Sequence, residues 1–280
     1  MLDKYLIQPI KHLFWKPHKF SEYPDYTLFV LFHHEWDSVN SLISSFKNYY
    51  PEGDVIISRD SLNFSPNEPL IRYPYKKTQT YSCMQKFIDL VWDRKTEKNL
   101  TPLECLNLID CHIQRLVEVA KLAKNDWILA VEPDCKINKK VPIQKHSDID
   151  ILEVNKFSDE YIQSISNISG KKFEAKGWGF VVGPIKKELI LGIHKWYIEN
   201  PTTVMKLIRM DKRIVVLDFL IVVMSHFANA SIVNSNLITE CYRNKFWKLT
   251  SRPLLHQYKP KKLHQDIRQM ALLAKRNEAN

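Results

Sequence analysis

Short runs of almost wholly apolar, β-prone residues constrain this chain more than any other feature: Tyr26–Phe32, residues 55–57 and Trp127–Val131. A strand with one wet face alternates polar and apolar residues. A run without alternation is covered on both faces, as in a parallel sheet sandwiched between helices. Helical spacing fills the intervals. Val39, Leu42, Ile43 and Phe46 share one helix face, and that helix ends before Pro51 and Gly53. Leu106, Ile109, Ile113, Leu116, Val117 and Ala120 mark a longer helix over residues 103–122, with Pro102 at its start, where proline is tolerated. The first strand, helix and second strand form a βαβ unit. Helices are also expected over residues 83–92, 157–168, 184–197 and 215–227, and short strands at Leu70–Tyr73, 177–182 and 230–233. Residues 60–81 read as a long loop, and 141–154 as strands or loop. The expected fold class is α/β, a mixed, mainly parallel sheet flanked by helices.

At 280 residues, 45% hydrophobic and 26% charged, the chain has ordinary globular composition, which argues against a disordered or fibrous protein. Without internal repeats or low-complexity linkers it divides into a basic amphipathic lead-in (1–25), one domain (26–258) and a basic tail (259–280). The net charge of +10 favours phosphate-bearing ligands, anionic membranes or nucleic acid without choosing among them. Five cysteines, an odd number with no CxxC pair, read as reduced thiols. No apolar run is long enough to span a membrane, and the first twenty residues carry charges throughout, so the expectation is a soluble, cytoplasmic protein without a signal peptide. In the lead-in, Leu2, Leu6, Ile10, Leu13 and Phe14 lie at helical spacing beside Lys4, Lys11, Lys16 and Lys19. That pattern suits a helix docked on the body or a peripheral contact with a membrane surface.

The strongest chemical signal follows the third apolar run: Glu132, Pro133, Asp134. Two carboxylates at the end of a central strand offer hard oxygen ligands to Mn²⁺ or Mg²⁺ and, through the metal, a site for a diphosphate. A solvated turn is the structural alternative. His33 and His34 follow the first strand and face the same sheet edge, where they would line a nucleotide pocket. Asp218 interrupts an almost continuously apolar run, where burying an acid is costly without a purpose or partner; a helix N-cap is the structural alternative. At Gly177, Trp178, Gly179, glycine permits close backbone approach to a ligand and tryptophan can stack on the apolar face of a sugar. A tight turn with a core tryptophan fits the same residues.

The succession YTLFVLFHHEWDSVNSLISSF, DVIISRDS, RLVEVAKLAKNDWILAVEPD, GWGFVVGPIKKEL and LDFLIVVMSHFANASIV, across residues 26–235, resembles the GT-A glycosyltransferases. The resemblance implies a Rossmann-like GT-A fold that binds a nucleotide-sugar donor, commonly a UDP-sugar, and passes the sugar to a glycan or glycoprotein acceptor rather than acting on nucleic acid. By position, Asp60 would contact the base, Glu132 and Asp134 would form the metal motif, His256 would be a third metal ligand, and Lys259 would meet the diphosphate. Trp178 and Gly179 would line the sugar pocket, and Asp218 would be the general base of an inverting enzyme, preferred over Asp211 in its charged segment. The motif departs from the common pattern in its glutamate and proline, as does Ser58, Arg59, Asp60 after the second strand. Two other classes stay open. Tyr73, Tyr75, Lys76, Lys77 and Tyr81 interleave aromatic and basic residues as single-strand binders do; a nucleotidyltransferase would need a glycine-rich loop where His33, His34, Glu35 and Trp36 stand.

Overall fold

The apolar runs become the middle of an eight-stranded sheet. In the computed structural model, which describes residues 15–17, 19–32, 36–59, 70–73, 76–78, 100–152, 155–179, 183–241 and 247–256, the sheet comprises β1 (Tyr26–Phe32), β2 (Val55–Arg59), β3 (Leu70–Tyr73), β4 (Lys76–Thr78), β5 (Trp127–Val131), β7 (Ile149–Asp150), β8 (Gly183–Lys186) and β9 (Ile232–Val233). A separate strand, β6 (Lys136–Ile137), follows β5 and belongs to a smaller sheet. The order across the large sheet is β9-β7-β8-β5-β1-β2-β3-β4. Parallel pairing holds β2–β1–β5 and β7–β9, whereas β8 runs antiparallel between β5 and β7, and β3 antiparallel to β2 and β4. β1, β2, β4, β5, β7 and β9 therefore point the same way, and β3 and β8 the other.

Even in an unbroken apolar run, the period of two sends alternate side chains to opposite faces. Tyr26, Leu28, Val30, Trp127, Leu129 and Val131 face α1 (Trp36–Lys47), which contributes Val39, Leu42, Ile43 and Phe46. Phe29, Ile128 and Ala130 face the other layer, built by α2 (Pro102–Leu122), α3 (Asp159–Ser169), α4 (Lys187–Glu199), α5 (Pro201–Met210) and α6 (Leu217–Phe227). The capping box that starts α2 satisfies two amides: Glu104 N–H donates to Thr101 Oγ1 at 3.3 Å, and Thr101 N–H donates to Glu104 Oε2 at 2.9 Å. With α1 on one face and α2 on the other, the strand order reverses at β1. In open α/β sheets such a reversal marks the ordinary ligand position, beyond the C-terminal ends of the two diverging strands, here β1 and β5.

The structure departs from the sequence reading at several points. Pro184 lies in β8, not at a helix start; α4 begins only at Lys187. Proline is tolerated in this interior strand because β7 reaches only Ile185 of β8. Gly183 is required: at φ 82° a Cβ there would lie 2.4 Å from the Asp150 carbonyl oxygen. α5 has no counterpart in the expected elements. The strand expected over 177–182 is described only as Gly177–Trp178, paired antiparallel with Asn155–Lys156. Cys111 is disulfide-bonded, against the expectation of reduced thiols, while Cys105, Cys135 and Cys241 are free. Among the described residues, no helix is long and apolar enough to cross a membrane. The helix expected over 83–92, His33, His34, Asp60, Lys259, and nearly all of the lead-in helix and the basic tail lie outside the described residues.

Candidate metal centre

β5 delivers the chain to Glu132 at its C-terminal end, and the Cys135 N–H donates to the Glu132 carbonyl at 3.1 Å, closing a turn around Pro133 and Asp134. β6 then enters a three-stranded sheet with β10 (Ile238–Glu240) and β11 (Leu254–His256), in the order β10-β11-β6. Leu254 pairs with Ile137 and Leu255 with Lys136 in antiparallel register, so the next step along β11 sets His256 against the carboxylate turn. His256 Nε2 lies 2.9 Å from Glu132 Oε2 and 3.6 Å from Asp134 Oδ1. One ligand atom from each of the three residues falls within 4.8 Å of the others. The His256 side chain is 2% exposed, and its carbonyl accepts the Cys241 N–H at 3.0 Å, which holds the backbone beneath the ring. The Glu132 side chain is 43% exposed and opens the cluster to solvent. Two carboxylates and an imidazole fit a divalent cation, and the single nitrogen shifts the preference from Mg²⁺ towards Mn²⁺.

Asp218 enters from the helical layer, in the first turn of α6. It is not the helix cap, a position held by Val216 without a side-chain bond. Burial pushes its carboxyl well above the usual carboxylate range, and the Glu132 carboxylate pushes in the same direction. The N–H groups of Asp218 and Phe219, together with His256, pull the other way. Its Oδ2 is buried without a hydrogen-bond partner. Asp211 differs: its Oδ1 accepts the Arg213 N–H at 2.9 Å, capping the 3₁₀ turn Lys212–Val215, and its Oδ2 pairs with Arg213 Nη2 at 2.6 Å. Trp178, half-buried, packs edge-on against Phe219 with ring centroids 5.3 Å apart, and the Arg213 guanidinium sits 5.4 Å from the centroid of that ring. Gly179 is buried beside Trp178.

The structure thus brings together Glu132, Asp134 and His256, sets Asp218 within electrostatic reach of Glu132 and His256, and sets Trp178 against the residue after Asp218. Sequence reasoning missed Phe219 as the ring that holds Trp178 and Arg213, because one phenylalanine in an apolar run carries no signal of its partners. No protein-family model matches the chain, and no curated protein matches it at a significant level.

Proposed function

We propose that this protein is a metal-dependent glycosyltransferase of the GT-A type, moving a sugar from a nucleoside-diphosphate sugar, with UDP favoured by the resemblance, to a hydroxyl of a glycan or glycoprotein acceptor. The observation that carries the proposal is the meeting of Glu132, Asp134 and His256 at the C-terminal end of β5, with Asp218 beside them. Glu132, Asp134 and His256 would hold the cation, which when bound would offset charge on the departing diphosphate. Asp218 is the general base. Its carboxylate takes the proton of the acceptor hydroxyl while the acceptor oxygen bonds to the anomeric carbon. The bond from that carbon to the diphosphate oxygen breaks, and its electron pair leaves with the nucleoside diphosphate, inverting the configuration. Trp178 offers an aromatic face for the sugar, held at its angle by Phe219.

The test is thermal unfolding with UDP and Mn²⁺, with and without EDTA, followed by a screen for UDP-sugar hydrolysis. Selective binding to the native state must raise the melting temperature. The expected result is a rise that needs both UDP and the metal. Stabilisation by single-stranded RNA, with none from any nucleotide–metal pair, would replace this reading with nucleic-acid binding.

A further inference from the structure

A surface outside the metal centre combines exposed aromatic rings with exposed lysines. The two-residue strand Ser21–Glu22 pairs antiparallel with Ile143–Gln144, and the Lys145 N–H donates to the Phe20 carbonyl at 2.9 Å. This pairing fixes Lys19, Phe20 and Tyr23 alongside the segment from Lys139 to His146. Phe20 is 63% exposed and Tyr23 is 51% exposed, whereas the other aromatic side chains among the described residues are at least half-buried. Lys16, Lys19, Lys139, Lys140 and Lys145 are all exposed, and none pairs with a carboxylate among the described residues. The acids of the same stretch, Glu22 and Asp25, are outnumbered. The Lys19 ammonium lies 5.9 Å from the Phe20 ring centroid, so charge and aromatic surface are adjacent at the level of single residues.

We propose that this paired segment is a docking surface for an anionic membrane. Aromatic rings partition into the interfacial layer of a bilayer, and clustered lysines are drawn to acidic headgroups at the same depth. Charge complementarity selects the lipid surface as the occupant: a protein partner matching so many exposed lysines would need an acidic face, yet the exposed Phe20 and Tyr23 would gain nothing from carboxylates. The inference does not depend on the enzymatic proposal.

The experiment is sedimentation of the full chain with vesicles of phosphatidylcholine alone or with phosphatidylserine, at low and high salt. The expected result is binding only to the acidic vesicles, weakened by salt. Replacing Phe20 and Tyr23 with Ala should lower vesicle affinity by about tenfold. Reversing Lys139, Lys140 and Lys145 to Glu should lower it on the order of a hundredfold or more. These side chains are exposed, so an unchanged melting temperature will separate lost docking from lost folding. Equal binding to both vesicle types, parent-like affinity in both variants, or binding of single-stranded RNA that these substitutions abolish while acidic vesicles are ignored would overturn the proposal.

Discussion

Each face of the central sheet buries an aspartate, and the two lie in different company. Asp150 ends β7 on the α1 side, fully buried, and its Oδ1 accepts the Ser235 N–H at 2.9 Å. Asp218 comes from the helical side; each aspartate has one buried, unpartnered Oδ2, but only Asp218 has Glu132 and His256 near enough to alter its proton affinity. Burial is the first cause of the raised pKa in both. Desolvation therefore does not distinguish the proposed base from a structural acid; the neighbouring groups do. Asp150 ties the loop after β9 to the end of β7, whereas Asp218 lies within electrostatic reach of two members of the Glu132–Asp134–His256 cluster.

The sharpest way to break this contrast is Asp218→Asn. On the proposed chemistry, transfer falls by about 10²- to 10⁴-fold at saturating substrate, while stabilisation by UDP and Mn²⁺ persists. Parent-like transfer in that variant, or a product of retained configuration, would reduce Asp218 to a second structural acid.

Asp150 should answer to pH and not to substrate. Its folded pKa is raised from the usual carboxylate range to about 6, so the folded state binds the proton more tightly than the unfolded chain. Stability should therefore rise as pH falls from about 6 towards about 4, by up to about 3 kcal/mol. Asp150→Asn keeps an oxygen for the Ser235 N–H and should be more stable than the parent at pH 7, with that dependence gone. Denaturant unfolding across pH, showing the same slope in both proteins, would contradict the assignment.

His256→Ala removes one corner of the cluster and leaves both aspartates in place. The UDP-dependent rise in melting temperature with Mn²⁺ should shrink to near nothing, a loss of about 2.7 kcal/mol where the parent is studied at a hundred times its Kd. The smallest effect belongs to Thr101→Ala. Losing the capping box of α2, away from both acids, should cost about 1 kcal/mol of stability and leave nucleotide and metal binding unchanged.

Elements that were continuous or strongly periodic were readable residue by residue. Tyr26–Phe32 and Trp127–Val131 have the bounds the apolar runs imply, and α2 starts at the expected proline, because strands covered on both faces and long amphipathic helices write their burial directly into composition. β8 was hidden by Pro184, a residue that ordinarily opens helices and avoids interior strands. Its place depends on how short its neighbour β7 is, which no local pattern records. α5 directly follows α4, and its signals, Pro201 at the helix start and Val204, Leu207 and Ile208 at helical spacing, went unread because the run is short.

The sequence by itself determined a mixed α/β sheet with carboxylates at the end of a buried strand, since burial patterns and strand ends are local properties. It also offered His256 as a candidate through resemblance alone. Only the tertiary structure decided that His256 meets Glu132 and Asp134, because that contact is set by the register of β6 against β11, strands of two and three residues separated by more than a hundred positions. The contrast between Asp150 and Asp218 is likewise tertiary. Each stands among apolar neighbours in the chain and meets a backbone amide in the fold, and what separates them is the neighbouring Glu132 and His256, brought to Asp218 by packing.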